Sequence, residues 1–218
     1  MPRFKASRKS TWVDMTAFVD VAFLILAFFM LATKFKPDEP VEINTPSSVS
    51  TQTVPEVDVL LVSIDKDGRV FFSIDNPEYR RAIIENLNST RNLGLNESQI
   101  RNFLNAPSIG VPFSGLQSLL SLSVDQMSKY HQPGIPVNDS TGGELAFWVR
   151  DAIYMAAAKK QKLNLMIKGD NATKYPAFRG VLKAFKMQDQ NKFLIVTSAE
   201  EPPVGSPLYE KRLTETRR

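Results

Sequence analysis

Residues 15–35 read MTAFVDVAFLILAFFMLATKF, a run without Gly or Pro and with nothing strongly hydrophilic between Asp20 and Lys34. About twenty residues rising ~1.5 Å each cross a hydrocarbon core of roughly 30 Å, so this segment predicts one membrane-spanning helix. The chain's mean hydropathy of -0.19 conceals it, because the apolar residues are concentrated in one place. A cleaved signal peptide is the rival reading. The run exceeds a typical signal core, however, and Lys34, Phe35, Lys36 and Pro37 supply no small-x-small cleavage site. Arg3, Lys5, Arg8 and Lys9 precede the run with no acid before Asp14, whereas Lys34 and Lys36 are soon answered by Asp38, Glu39 and Glu42. Basic flanks stay in the cytoplasm, which places the larger C-terminal part on the outer side.

Asp20 is the anomaly within this run. An Asp at the centre of a membrane helix costs roughly 2.5–3.5 kcal/mol, and each Leu, Ile, Phe or Val returns about 0.3–0.6. Phe18, Val19, Val21, Phe23, Leu24, Ile25, Leu26, Phe28, Phe29 and Leu31 surround it, and together they return roughly 3–6 kcal/mol. The helix therefore inserts with the acid in place, although insertion alone would be easier without it. Snorkelling to the headgroups is the bland explanation. Asp20 lies on the order of 8 Å inside the segment at helical rise, and its short side chain snorkels poorly compared with Lys or Arg. At 100° per residue Thr16, Asp20 and Ala27 fall on one polar-to-small stripe with Val13, Leu24, Leu31 and Lys34, opposite Phe18, Ile25 and Phe29. Small residues let another helix come close, so Thr16 and Ala27 are expected to flank Asp20 on a protein-lined, pore-facing side. A proton crossing the membrane gives up roughly 2.3 kcal/mol per 100 mV, and a lone carboxylate in an apolar helix is a stepping point for it. One helix cannot enclose a path, so other chains must supply the remainder.

The chain divides into a basic arm (1–14), the helix (15–35), a Pro/Ser/Thr/Val-rich linker (36–56), a domain (57–200) and a tail (201–218) expected to be flexible. Within the domain, residues 57–64 and 69–74 are β-branched runs around the turn residues Asp65-Lys66-Asp67-Gly68, which predicts a hairpin. Helices are expected at 78–87, 96–104 and 116–130, and residues 131–143, rich in Pro and Gly, read as a loop. A strong helical period at 144–160 places Leu145, Trp148, Val149, Ala152, Ile153 and Ala156 inward, with Trp148 and Tyr154 read as packing residues. A strand at 163–168, a helix at 176–187 and a strand at 193–197 complete the order β-β-(helical insert)-α-β-α-β. This order implies a small two-layer α/β (α+β) domain.

The stretch Val13-Asp14-Met15-Thr16-Ala17-Phe18-Val19-Asp20-Val21-Ala22-Phe23-Leu24, with a basic arm before it and a tether and small α/β domain after it, resembles the ExbD/TolR family of biopolymer transport proteins. Leu165-Met166-Ile167-Lys168-Gly169-Asp170, Tyr175, the helix to Met187 and Leu194-Ile195-Val196 are similar to the family's closing β-α-β unit. The resemblance covers roughly 1–75 and 144–200. Ala17 stands where many members have Pro, and about 77–143 has no counterpart in compact members, as if it were an insertion with its own partner. The resemblance implies that Asp20 is the family's proton-carrying aspartate, in a homodimer of such helices inside an ExbB-like multi-pass membrane subunit. It also implies a periplasmic domain, a TonB-like transducer and energy delivered from the bacterial inner membrane to outer-membrane transport. A TolR-like role in envelope constriction shares the same helix chemistry and stays open, as does a membrane-tethered binding module with the helix as a passive anchor.

Other chemistry has little support in the sequence. The net charge of +4 is a topology signal without a basic, aromatic-interleaved stripe, so no nucleic-acid partner is expected. With no cysteine and a single histidine, His131, disulfides and thiolate metal sites are excluded and a His-based metal centre or triad has little room. Asp67, Asp75, Asp139 and Asp151 are scattered, Gly142-Gly143 lacks a phosphate-loop pattern, and Lys159-Lys160 reads as a solvated helix end. No catalytic site, cofactor or enzyme activity is expected.

Overall fold

The computed structural model describes residues 15–32, 41–49, 54–55, 57–138 and 140–209. They belong to two units, residues 1–36 and residues 37–218, each considered separately. In the first, α1 spans Met15–Ala32, and none of its residues is buried. Its 18 residues make about 27 Å of helix at ~1.5 Å per residue, close to the thickness of a hydrocarbon core. Residues 33–35, expected to finish the span, lie outside the described residues.

The second unit begins with a two-residue strand, β1 (Ser47–Ser48), and the predicted hairpin of β2 (Val59–Ile64) and β3 (Val70–Ile74). The turn is built around a buried acid. Asp65, 1% exposed, accepts the backbone N–H groups of Asp67 and Arg69 through Oδ1 and the Arg69 guanidinium through Oδ2 at 2.6 Å. Gly68, at φ +82°, adopts the left-handed turn conformation that side chains disfavour. Four helices follow: α2 (Pro77–Arg91), α3 (Glu97–Asn105), α4 (Phe113–Leu120) and α5 (Val124–Lys129). The closing unit is α6 (Leu145–Ala158), β4 (Asn164–Gly169), α7 (Tyr175–Lys186), β5 (Leu194–Val196) and the short β6 (Ser198–Ala199).

The main sheet has the order β3-β2-β4-β5, antiparallel at β2–β3 and parallel elsewhere. The register aligns Leu60 with Ile74 and Leu165, and Val62 with Phe72 and Ile167. Period-two alternation then sends all six to one face, where they are buried against α2, α6 and α7. Expected order and observed order agree, and the architecture is a single-span helix plus a two-layer α/β domain.

Two readings change at the level of single residues. The segment 116–130, expected as one helix, breaks after Leu120, where Ser121 turns its hydroxyl back to the Gln117 carbonyl. Ser123 and Gln126 then form a capping box that starts α5. Tyr154, expected in the core, is 67% exposed. It lies on the opposite side of α6 from Ala152 and Ala156, where tertiary packing leaves that flank uncovered. Trp148 is fully buried, as its spacing predicts.

Residues 77–143 are part of the core rather than a separate body. The Trp148 ring meets Phe72 of β3 at 5.1 Å, Phe103 of α3 at 5.8 Å and Phe113 of α4 at 5.6 Å between centroids. Glu144, just ahead of α6, accepts the Phe113 N–H at the first residue of α4 at 2.7 Å, where a carboxylate is favoured by the helix dipole. Gln99 and Asn102 of α3 donate to the carbonyls of Gln117, Leu120 and Leu122. Phe103→Ala is therefore expected to destabilise the whole outer domain by about 3–5 kcal/mol. Denaturant unfolding in a Trp12→Phe background, followed at both Trp148 fluorescence and β-sheet circular dichroism, checks this. One shared, shifted transition is the expected result, and a sheet transition left at its parent midpoint is the result that contradicts it.

Candidate functional site

In α1, Asp20 is the only ionisable side chain between Met15 and Ala32. The apolar residues on both sides give the backbone no alternative to internal hydrogen bonding in lipid, so a helix is the solution open to this stretch. Thr16 lies one turn before Asp20 and Ala27 about two turns after it, which keeps the three on one side at helical spacing. Ala27 alone among α1 residues is half-buried within its own helix, between larger neighbours. The flank that includes Phe28 and Phe29 is aromatic, the two rings meeting edge-on at 6.0 Å. The helix thus presents one narrow polar-to-small side and a broad apolar remainder.

In the outer domain a second arrangement appears that the sequence did not single out. Part of the linker docks on the closing β-α-β unit: β1 pairs in parallel with β6, Ser47 opposite Ser198 and Ser48 opposite Ala199. Just before it, the Asn44 N–H donates to Asp170 Oδ2 at 2.9 Å, and the Asn171 N–H donates to the Asn44 carbonyl at 2.9 Å. The other Asp170 oxygen accepts the Ala172 N–H at 2.9 Å. These bonds, from Ala172 first and then Asn44, hold the Asp170 carboxyl below its ordinary value. Pro46 closes one side of a cavity of about 220 Å³ whose other walls include Asp170, Tyr175, Phe178 and Ile195. Pairing between residues more than a hundred positions apart leaves no local signal, and two-residue strands have no period to read. Only Gly169 and Asp170 stood out in the sequence, as the end of the family-like segment.

The remaining polar candidates have structural partners. His131 sits in a loop with Nδ1 3.2 Å from the Arg69 guanidinium. Asp75 Oδ1 accepts the Val59 N–H, Asp67 lies 3.8 Å from Arg69, and buried Asp151 pairs with Arg150 at 2.8 Å. Asp139 lies outside the described residues. Lys159 pairs with Glu78 across the α2–α6 contact, so this helix end is an interhelical tie as well as a solvated one.

A family model described as "Biopolymer transport protein ExbD/TolR" matches residues 7–200, from the basic arm through β6. The chain belongs to the ExbD/TolR family. The match begins before the acid-bearing helix and spans the 77–143 region as well as the hairpin and the closing β-α-β unit. Among curated proteins and solved structures, no match to the chain was found. Family membership and the N-terminal apolar helix make this a single-pass membrane protein of biopolymer transport, working with membrane-complex partners.

The depressed Asp170 carboxyl gives a pH dependence with a defined sign. Its contribution to linker docking is complete above the ordinary carboxylate range, about 4, and is lost as pH falls through the lower folded value. The protection factors of the Asn44 and Asn171 amides, each referred to the intrinsic exchange rate at the same pH, are expected to fall on acidification in the parent protein. In Asp170→Ala they are expected to be low at every pH, and unchanged protection at neutral pH in that variant would contradict a role for Asp170 in docking the linker.

Proposed function

We propose that the chain is the ExbD-like subunit of a motor in the bacterial inner membrane, driven by the proton motive force, that energises TonB-dependent transport across the outer membrane. The carrying observation is Asp20, a lone acid in an apolar helix whose surroundings tolerate it without needing it. Such residues mark proton and ion paths by default, because an intramembrane carboxylate survives only where protein or water receives it. In this reading Asp20 takes up a proton from one side and releases it to the other, and the membrane potential makes the exchange directional. Thr16 and Ala27 let a neighbouring helix approach the acid closely. The N-terminal arm is cytoplasmic, the domain periplasmic, and two copies of α1 sit inside an ExbB-like multi-pass subunit. Motion of α1 passes through the linker to the outer domain and from there to a TonB-like transducer. The chain has no catalytic chemistry of its own in this scheme.

The test separates a relay from an anchor. Asp20→Asn keeps the shape and removes the exchangeable proton, so membrane abundance and co-purification of the multi-pass partner are expected to persist while TonB-dependent uptake is abolished. Uptake at the parent rate in that variant would remove the basis of the proposal. Ala27→Leu is expected to act differently, weakening co-purification because bulk on the small-residue side keeps the neighbouring helix away.

A further inference from the structure

β3 is, by sequence, a poor choice for the edge of a sheet. It reads VFFSI, with no charge and no proline, and an exposed, apolar edge strand is a template for a strand from another molecule. In an antiparallel pair, alternate residues point their N–H and C=O groups away from the partner. Here those are Val70, Phe72 and Ile74, which face away from β2, and the cover reaches the first two.

The 77–143 region fills that side. Phe72 exchanges two hydrogen bonds with Ile109, Phe72 N–H to the Ile109 carbonyl at 2.8 Å and Ile109 N–H to the Phe72 carbonyl at 2.9 Å. The Val70 carbonyl accepts the Ile135 N–H at 2.8 Å. Ser73 Oγ donates to the Pro107 carbonyl at 2.9 Å. The two covering segments are tied to each other: Gly134 N–H donates to the Gly110 carbonyl at 2.6 Å, and the side-chain oxygen of buried Gln132 accepts the Gly110 N–H at 2.6 Å. A cover made of extended chain would ordinarily present a new edge of its own. This one is bracketed by Pro107 and Pro112 on one segment and by Pro133 and Pro136 on the other, and proline has no N–H to offer a further strand. The sheet stops there.

Two glycines make the close approach possible. At Gly134, φ +93°, a Cβ would lie 2.9 Å from the Arg69 Cα and from the Val70 nitrogen. At Gly110 a Cβ would run into the Phe71 ring. Neither residue contributes a side chain to the core, so substitution at either bears on the seam between cover and strand.

We propose that the segments 107–112 and 132–136 within the 77–143 region are a built-in edge cover: they occupy the side of β3 that the β3 strand of a second copy of this chain would take, and so bar sheet-to-sheet pairing through that edge. The inference stands apart from the proton reading, because it depends on the outer domain alone and not on Asp20. It gives these segments a purpose that requires no partner.

The experiment uses the full chain in nanodiscs and a fluorescent peptide copying residues 69–75 as the strand probe. The variants are Gly134→Ala, Gly110→Ala and Gln132→Leu, and Gly94→Ala is the control, since Gly94 shares a positive φ of +66° but has no atom within 4 Å of its Cβ position. The parent and control are expected to protect the Phe72 amide from hydrogen exchange and to leave the peptide unbound. A folded cover variant is expected to lose that protection and to capture the peptide, read as a rise in anisotropy that unlabelled peptide reverses. Capture by the parent overturns the proposal. So does a folded variant whose Phe72 amide is open yet takes no peptide, or full protection retained in every folded variant. Unfolding of all three cover variants with a folded control overturns it too, by making the cover a requirement of folding rather than a guard.

Discussion

Trp148 is fully buried, and the rings that close on it come from β3, α3 and α4, parts of the chain as far as 76 residues away in Phe72's case. Aromatic pairs of this kind contribute about 0.5–1.5 kcal/mol each beyond the area they bury. Their larger effect is on connectivity. A hairpin and a short β-α-β unit make a small sheet with one face to cover, and α7 and α6 cover part of it. Through Trp148 the remaining helices join the same core, which lets α2–α5 fold as part of the domain and brings Ile109 and Ile135 to the β3 edge. The Glu144 carboxylate at the start of α4 and the Lys159–Glu78 tie at the far end of α6 fix that helix layer at both ends.

The two units of the protein answer to different solvents. In lipid the backbone must satisfy itself within α1, and a single carboxylate there is costly enough to call for a task. In water a smaller share of apolar residues, spread at periods of two and 3.6, buries itself in the outer domain. The linker between them is partly docked through hydrogen bonds to Asp170, Asn171, Ser198 and Glu200. Such bonds are exposed and individually modest, about 0.5–1.5 kcal/mol net, so the docked strand is held by a group of weak ties rather than by core burial. Between the two units the chain therefore has, in that segment, a part able to yield before the fold does.

How much was legible follows the range of the interactions. Asp20, Thr16 and Ala27 are set by helical spacing alone, and the span could be read from length and composition. The hairpin was visible because Asp65 to Gly68 carry turn chemistry in consecutive positions, and α6 because its apolar residues recur over four turns. The reading of 116–130 as one helix went astray because Ser121 and Ser123 compete for the backbone locally, a contest that apolar periodicity does not register. Tyr154 has the spacing of a packing residue, but among the described residues no neighbouring element reaches its flank of α6.

By itself the sequence determined that one segment belongs in a membrane, that an acid stands within its apolar run, and that a β-β-α-β-α-β domain follows, because each depends on residues close together in the chain. The tertiary structure alone decided that residues 77–143 complete the core, that β1 docks on β6, and that the β3 edge is closed by Ile109 and Ile135. Those outcomes rest on contacts between distant segments, whose free energy comes from shape and hydrogen-bond matching after folding. No local pattern encodes them.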